Sequence, residues 1–142
     1  MSDPLHLLKD ALKKQGYSVT SPRQAVFKQL LGKEPLSMHE LVLQTSSVDR
    51  ASVYRTVALF EELGIIIRVN IGWKYKVELS EMFSTHHHHM SCTNCERTIA
   101  LDEASLEQAI EALCRDKQFM PTAHQIEIQG LCRDCQTKAA TA

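Results

Sequence analysis

The sequence predicts an α+β protein in two parts, a helical part closed by a β-hairpin and then a small α/β module built around metal. Three observations predict it. Residues 1–64 carry apolar side chains at helical spacing, interrupted by glycines. Residues 65–79 form two β-branched, alternating runs around Gly72. Residues 86–135 hold four consecutive histidines and two CxxC pairs.

The first helix is predicted from Leu5, Leu8 and Leu12, with Leu7 and Ala11 beside them, and Gly16 ends it. Ser21-Pro22 reads as a cap followed by proline at the first helical position. Val26, Phe27, Leu30 and Leu31 supply that helix's apolar face, and Gly32 stops it. Ser37-Met38-His39-Glu40 fits a capping box, opening a short helix with Leu41 and Val42 inside. Asp49 caps a fourth helix, residues 50–63, with Val53, Val57, Phe60 and Leu63 inward and Gly64 after it. Residues 65–69 and 73–79 are the two strands of a hairpin.

A short capped helix, a long capped helix and then a hairpin is the order of a winged helix-turn-helix. The long helix would enter the major groove and the hairpin would be the wing. Arg50, Ser52, Tyr54 and Arg55 form an exposed polar face suited to phosphates and base edges. Pattern alone leaves open that these are ordinary solvated residues. The charge agrees weakly with a division of labour. Residues 1–80 hold 11 Lys and Arg against 8 Asp and Glu, and residues 81–142 hold 5 against 9.

In the second part, residues 87–91 and 98–101 are predicted strands flanking the Cys92–Cys95 knuckle. Residues 102–117 are a predicted helix with Leu106, Ile110 and Leu113 on one side. Residues 124–129 alternate as a strand that leads into the second CxxC. So small a module needs metal staples or a second copy. The expected division is residues 1–80 for DNA binding, 86–136 for dimerisation and metal binding, and 137–142 as a flexible tail. No apolar run approaches a membrane span and no signal peptide is visible, so a cytoplasmic protein without membrane contact is expected. Paired cysteines in that compartment favour metal over disulfides.

Cys92, Cys95, Cys132 and Cys135 make two knuckles that two antiparallel strands would bring together. The result is a closed four-thiolate zinc site, structural rather than catalytic. Cys114 reads as a small core residue. On a strand, His86 and His88 point one way and His87 and His89 the other, so each pair is half of a separate site. Glu107 and His124 complete the first, and Glu78 or Glu81 contributes to the second. Mixed histidine and carboxylate ligands suit zinc, ferrous iron, manganese or cobalt.

These residues resemble the ferric uptake regulator family of bacterial metal-dependent transcription regulators. The resemblance is carried by residues 19–23, Val-Thr-Ser-Pro-Arg, and by residues 51–57, Ala-Ser-Val-Tyr-Arg-Thr-Val. Residues 86–95 carry it further, as do His124 and residues 130–135. It implies a winged-helix domain, a dimerisation domain, a homodimer and a double-stranded DNA operator. It implies structural Zn(II) on Cys92, Cys95, Cys132 and Cys135, and a dimerisation-domain metal on His86, His88, Glu107 and His124. The sensory metal, Fe(II) or Zn(II) with Mn(II) as a further candidate, maps onto Glu78, His87 and His89. Tyr54 and Arg55 match operator-contacting positions, and Arg23 matches one near the DNA backbone. Three positions depart from the family pattern. Ala100 stands where a carboxylate is usual, Pro35 stands near a usual histidine, and Ser18 replaces a minor-groove lysine. Asp102, Glu81 and His39 are the nearby substitutes for the missing ligands.

The function expected is a metal-responsive repressor with Fe(II) as co-repressor. Zinc-uptake-type and peroxide-type regulators are the alternatives, and a metal-storage or zinc-ribbon adaptor protein is a distant one. An enzyme is not expected: a metallo-hydrolase needs an open coordination position and a nearby base, and no nucleophile motif is visible.

Overall fold

The structure, a computed structural model, describes residues 2–141. The chain divides into two compact units, Met1–Thr85 and His86–Ala142. No described helix is long and apolar enough to cross a membrane.

The first unit runs α1 (Pro4–Lys14), α2 (Ser21–Leu30), α3 (Met38–Gln44), α4 (Arg50–Glu62), β1 (Ile66–Ile71) and β2 (Lys74–Leu79). Each helix start has a local cause. Asp3 accepts the Leu5 N–H ahead of α1, and Asp49 accepts the Ser52 N–H ahead of α4. At α3 the expected capping box is complete: Ser37 accepts the Glu40 N–H, and Glu40 accepts the Ser37 N–H. The cap of α2 is shifted by one from expectation. Thr20, not Ser21, is the cap, because its hydroxyl is the one that accepts the Arg23 N–H, and Pro22 falls inside the first turn.

The apolar faces meet in one core. Leu8, Leu12, Val26, Phe27, Leu41, Val53, Phe60 and Ile65 are buried together, and Val77 of the hairpin joins them. Phe83 places its ring edge-on to Phe27, with centroids 4.9 Å apart. Leu63, expected to be buried, is the half-buried C-cap of α4. Strands β1 and β2 pair antiparallel, Ile66 opposite Leu79 through Ile71 opposite Lys74. Leu36 adds one bridge to Val77, so the short loop before α3 lies on the hairpin. Arg68 braces the hairpin to α4: its Nε and Nη2 donate to the two carboxylate oxygens of Glu61 at 2.6 and 3.1 Å.

The second unit has β3 (His88–Cys92), β4 (Thr98–Leu101), α5 (Ala104–Asp116), β5 (Glu127–Gly130) and α6 (Arg133–Thr141). The sheet order is β4-β3-β5, with β3 antiparallel to β4 and parallel to β5. This corrects the expectation that the two knuckles follow antiparallel strands. Each knuckle lies just beyond the C-terminal end of its strand, and two such ends share one edge of a sheet only when the strands run the same way.

The unit has almost no apolar core of its own. Among its described residues the buried ones are His88, His89, Ser91, Cys92, Thr98 and Cys135, with no aliphatic side chain among them. Helix α5 buries no residue, and Leu113, expected on its inner face, is 64% exposed. The strand expected from His124 begins only at Glu127, which leaves His124 in the preceding loop. The segment expected as a frayed tail is helical as far as Thr141, because it continues α6 from Arg133 and Ala139 and Ala140 favour that continuation.

Candidate metal centres and nucleic-acid face

Two metal-competent clusters lie wholly within the second unit. The first gathers Cys92, Cys95, Cys132 and Cys135, their sulfurs all within 4.8 Å of one another. Cys95 Sγ and Cys132 Sγ are 3.7 Å apart. A tetrahedron of sulfurs around zinc has edges of about 3.8 Å, given zinc–sulfur bonds of about 2.3 Å. The Cys95–Cys132 pair therefore stands at the spacing the ion requires, and the other two sulfurs lie within 4.8 Å of it.

Cys92 and Cys135 differ in acidity. Backbone N–H groups of Cys132 and Cys95 point at Cys92 and pull its thiol down to about 6. At Cys135 the Asn94 amide also pulls down, donating to Sγ at 3.3 Å. It is outweighed by Cys132, by burial and by the other two sulfurs, which push Cys135 up to about 11. Four adjacent sulfurs cannot all be anionic without a cation, so one ionises easily and another resists. A divalent ion removes that conflict, and so the donor set fits zinc. Cys114 is half-buried on α5 and takes no part.

The second cluster gathers His86, His88, Glu107 and His124, again within 4.8 Å. His88 Nε2 is 2.7 Å from Glu107 Oε1, and His124 Nε2 is 3.0 Å from Glu107 Oε2. His86 Nε2 is 3.0 Å from His124 Nε2. Burial raises the Glu107 pKa, but hydrogen bonds from His88 and His124 win and hold it below the usual carboxylate range. The Ile126 N–H is directed at His88 Nδ1 at 3.2 Å and fixes that ring. Three nitrogens and a carboxylate converging this closely suit a borderline divalent cation.

His87 and His89 face the other way, as the two-face reading expects, with ring centroids 4.8 Å apart. His89 is buried and stands directly opposite Ala100 across β3 and β4. A carboxylate at that position would lie beside His89, but the methyl group offers no ligand. Asp102 is exposed just after β4. In the first unit Glu78 is buried on β2, Glu81 is exposed after it, and His39 is exposed in the first turn of α3.

The predicted DNA-facing residues lie on one unit. Arg50, Tyr54 and Arg55 are exposed on α4, and Ser52 is half-buried. They are linked before any ligand arrives. Asp49 accepts from the Ser52 hydroxyl at 2.6 Å, and the Ser52 oxygen accepts from Arg55 Nη2 at 3.0 Å. Arg50 lies over the Tyr54 ring, 5.4 Å from its centroid. Arg23 donates to the Ser18 carbonyl at 2.6 Å and lies 5.5 Å from the Tyr17 ring centroid.

Sequence reasoning missed Asn94 as a sulfur donor and the Ile126 N–H that orients His88. The first had a signal, an amide placed inside a CxxC knuckle. The second had none, because a backbone contact across strands depends on the register.

A winged helix-turn-helix unit followed by a small module with clustered thiols and imidazoles defines a metal-binding transcription regulator. The ferric uptake regulator family profile matches residues 14–129, and the chain belongs to that family. It is 29% identical to the ferric uptake regulation protein of Bacillus subtilis, over 97% of this chain and 98% of that one. It is equally, 29%, identical to the peroxide-responsive repressor PerR of Staphylococcus saprophyticus, over 94% of each. The crystal structure of the Vibrio cholerae ferric uptake regulator superposes with a TM-score of 0.71 at 28% identity, covering 88% of this chain and 99% of that one. The family is one of metal-responsive regulators rather than enzymes.

Proposed function

We propose that the chain is a homodimeric, cytoplasmic repressor that binds double-stranded operator DNA when loaded with a regulatory metal, Fe(II) by preference. Residues 1–80 would read DNA and residues 86–136 would dimerise and hold metal. The observation that carries the reading is the split of four consecutive histidines onto two faces, with Glu107 and His124 joining one face only.

The roles follow. Cys92, Cys95, Cys132 and Cys135 hold structural zinc and stand in for an apolar core, since no aliphatic side chain is buried among this unit's described residues. His86, His88, Glu107 and His124 hold a second ion in the same unit. His87 and His89, with Glu78 from the first unit, form the sensory site. These side chains would hold the regulatory ion, whose loading would be the signal. DNA affinity scales with the fraction of molecules in the competent arrangement. Tyr54 and Arg50 contact base edges and phosphates, Arg55 and Ser52 phosphates, and Arg23 the backbone nearby.

A zinc-responsive role is the second reading, and Ala100 favours it. Losing a carboxylate opposite His89 leaves a nitrogen-rich set. The test is a titration with Fe(II), Zn(II) and Mn(II), structural zinc retained, against duplexes selected from a random library by the metal-loaded protein. Binding should rise at least tenfold with the cognate metal and fall with chelator. Equal affinity with and without metal would sink the reading.

A further inference from the structure

The hairpin tip carries a feature that the metal sites and α4 leave unused. Trp73, the one tryptophan of the chain, is 90% exposed. Gly72 and Trp73 form a two-residue turn, since Ile71 still pairs with Lys74. Gly72 has φ +61 and Trp73 does not have positive φ. That pattern fits a tight hairpin turn whose first position demands glycine. The second position accepts almost any polar residue, so a bare indole there is not required by the turn. The turn is short and Arg68 braces the strand behind it against Glu61. The ring is therefore presented outward rather than free to fold back. Isolated exposed apolar residues are common. This one differs in its charge setting: Lys74 Nζ lies 5.2 Å from the ring centroid, Lys76 follows, and no Asp or Glu occurs between Glu62 and Glu78.

We infer that Trp73 is a DNA-contacting residue, its indole packed against the sugar and base edges of the groove next to that entered by α4, with Lys74 on the flanking phosphate. The inference rests on the DNA-binding reading above. Aromatic contact to nucleic acid is tolerant of sequence, and cationic neighbours favour a polyanion over an apolar protein surface.

Because Trp73 is the sole tryptophan, its emission reports on this site alone. The full-length, metal-loaded protein is titrated with a library-selected duplex while anisotropy of labelled DNA reports binding independently. Trp73 emission should be quenched in step with the anisotropy rise. W73A should bind about tenfold more weakly with an unaltered melting curve, and W73F should recover most of the loss. The salt dependence should separate the two side chains: W73A keeps the wild-type slope, whereas K74A lowers it by about one. Binding by anisotropy with unchanged emission, and W73A equal to wild type, would overturn the inference while leaving the DNA-binding reading intact. An emission shift on raising protein concentration without DNA would assign the ring to a second copy and overturn it too. If no duplex is captured from the library with any metal, the DNA-binding reading fails and takes this one with it.

Discussion

The sulfurs of Cys95 and Cys132 stand 3.7 Å apart although 37 residues separate them in the chain. Parallel pairing of β3 with β5 does this, setting Cys92 opposite Gly130 and both knuckles at one end of the sheet. No aliphatic side chain is buried among the described residues of this unit, so on the proposed reading thiolate–metal bonds would stand in for a core, and binding energy there would be folding energy. Cys95→Ser should lose one equivalent of zinc by elemental analysis and melt the second unit, seen as lost amide dispersion for residues 86–141. The first unit, with its own core, should stay folded. A metal-free variant with an intact second unit would refute this.

The exposed face of α5 leads to a second expectation. Leu113 is 64% exposed and Phe119 is 68% exposed just beyond the helix. Covering one such side chain contributes about 1.5–3 kcal/mol. Leu113→Arg should therefore shift sedimentation from dimer towards monomer by more than tenfold in dissociation constant. Zinc content should hold, since Leu113 belongs to neither cluster and its neighbour Cys114 is not one of the four clustered cysteines.

Much of this was legible in the sequence because the signals were local. The capping box at Ser37 and Glu40 and the stop at Gly64 are each set by residues within a few positions of one another, whereas the hairpin turn, expected over residues 70–72, is confined to Gly72 and Trp73 because Asn70 and Ile71 still pair across the strands. The His86/His88 and His87/His89 division needed only the period of an extended chain. What was not legible is set by pairing at a distance. The parallel direction of β5, the placing of Ala100 opposite His89, and the grip of the Ile126 N–H on His88 all depend on register. The exposure of Leu113 is a third kind: the periodicity finds an apolar stripe correctly but does not say whether the same chain covers it.

The Ser37–Glu40 box gives a pH-dependent test. The Ser37 backbone N–H donates to Glu40 and holds its carboxyl below the ordinary value of 4.5. A group whose folded pKa is depressed stabilises the fold above its unfolded value, and that share is lost as pH falls through the folded value. Stability from Glu40 is thus complete above about pH 4.5 and declines beneath it. Glu40→Gln should remove this acid-side component from urea-unfolding profiles. Ser37→Ala should cost about 1 kcal/mol at neutral pH, since a cap is lost. Identical acid limbs for wild type and Glu40→Gln would count against the assignment.

Arg55 is held in the free protein by Ser52, which is held in turn by Asp49. Ser52 is also what pulls the Asp49 carboxyl below its usual range, first through the hydroxyl and then through the N–H. A guanidinium tethered this way is held at the helix surface, and on the proposed reading it would exchange a neutral oxygen for a phosphate when DNA arrives. That exchange is favourable because a charged acceptor makes a shorter and stronger bond than a hydroxyl. Neutralising a phosphate also releases counterions, so Arg55→Ala should weaken DNA binding and reduce the salt slope by about one. Tyr54 works differently. Its phenol sits on the exposed face of α4 with Arg50 over the ring, and on the proposed reading it would meet base edges. Tyr54→Ala should weaken binding to the selected duplex while leaving the salt slope alone, and should narrow the gap to random DNA. Neither change touches a candidate ligand, so metal content should match wild type in both. If both variants showed the same slope change, Tyr54 would be a phosphate contact like Arg55, and sequence reading would have to come from elsewhere on α4.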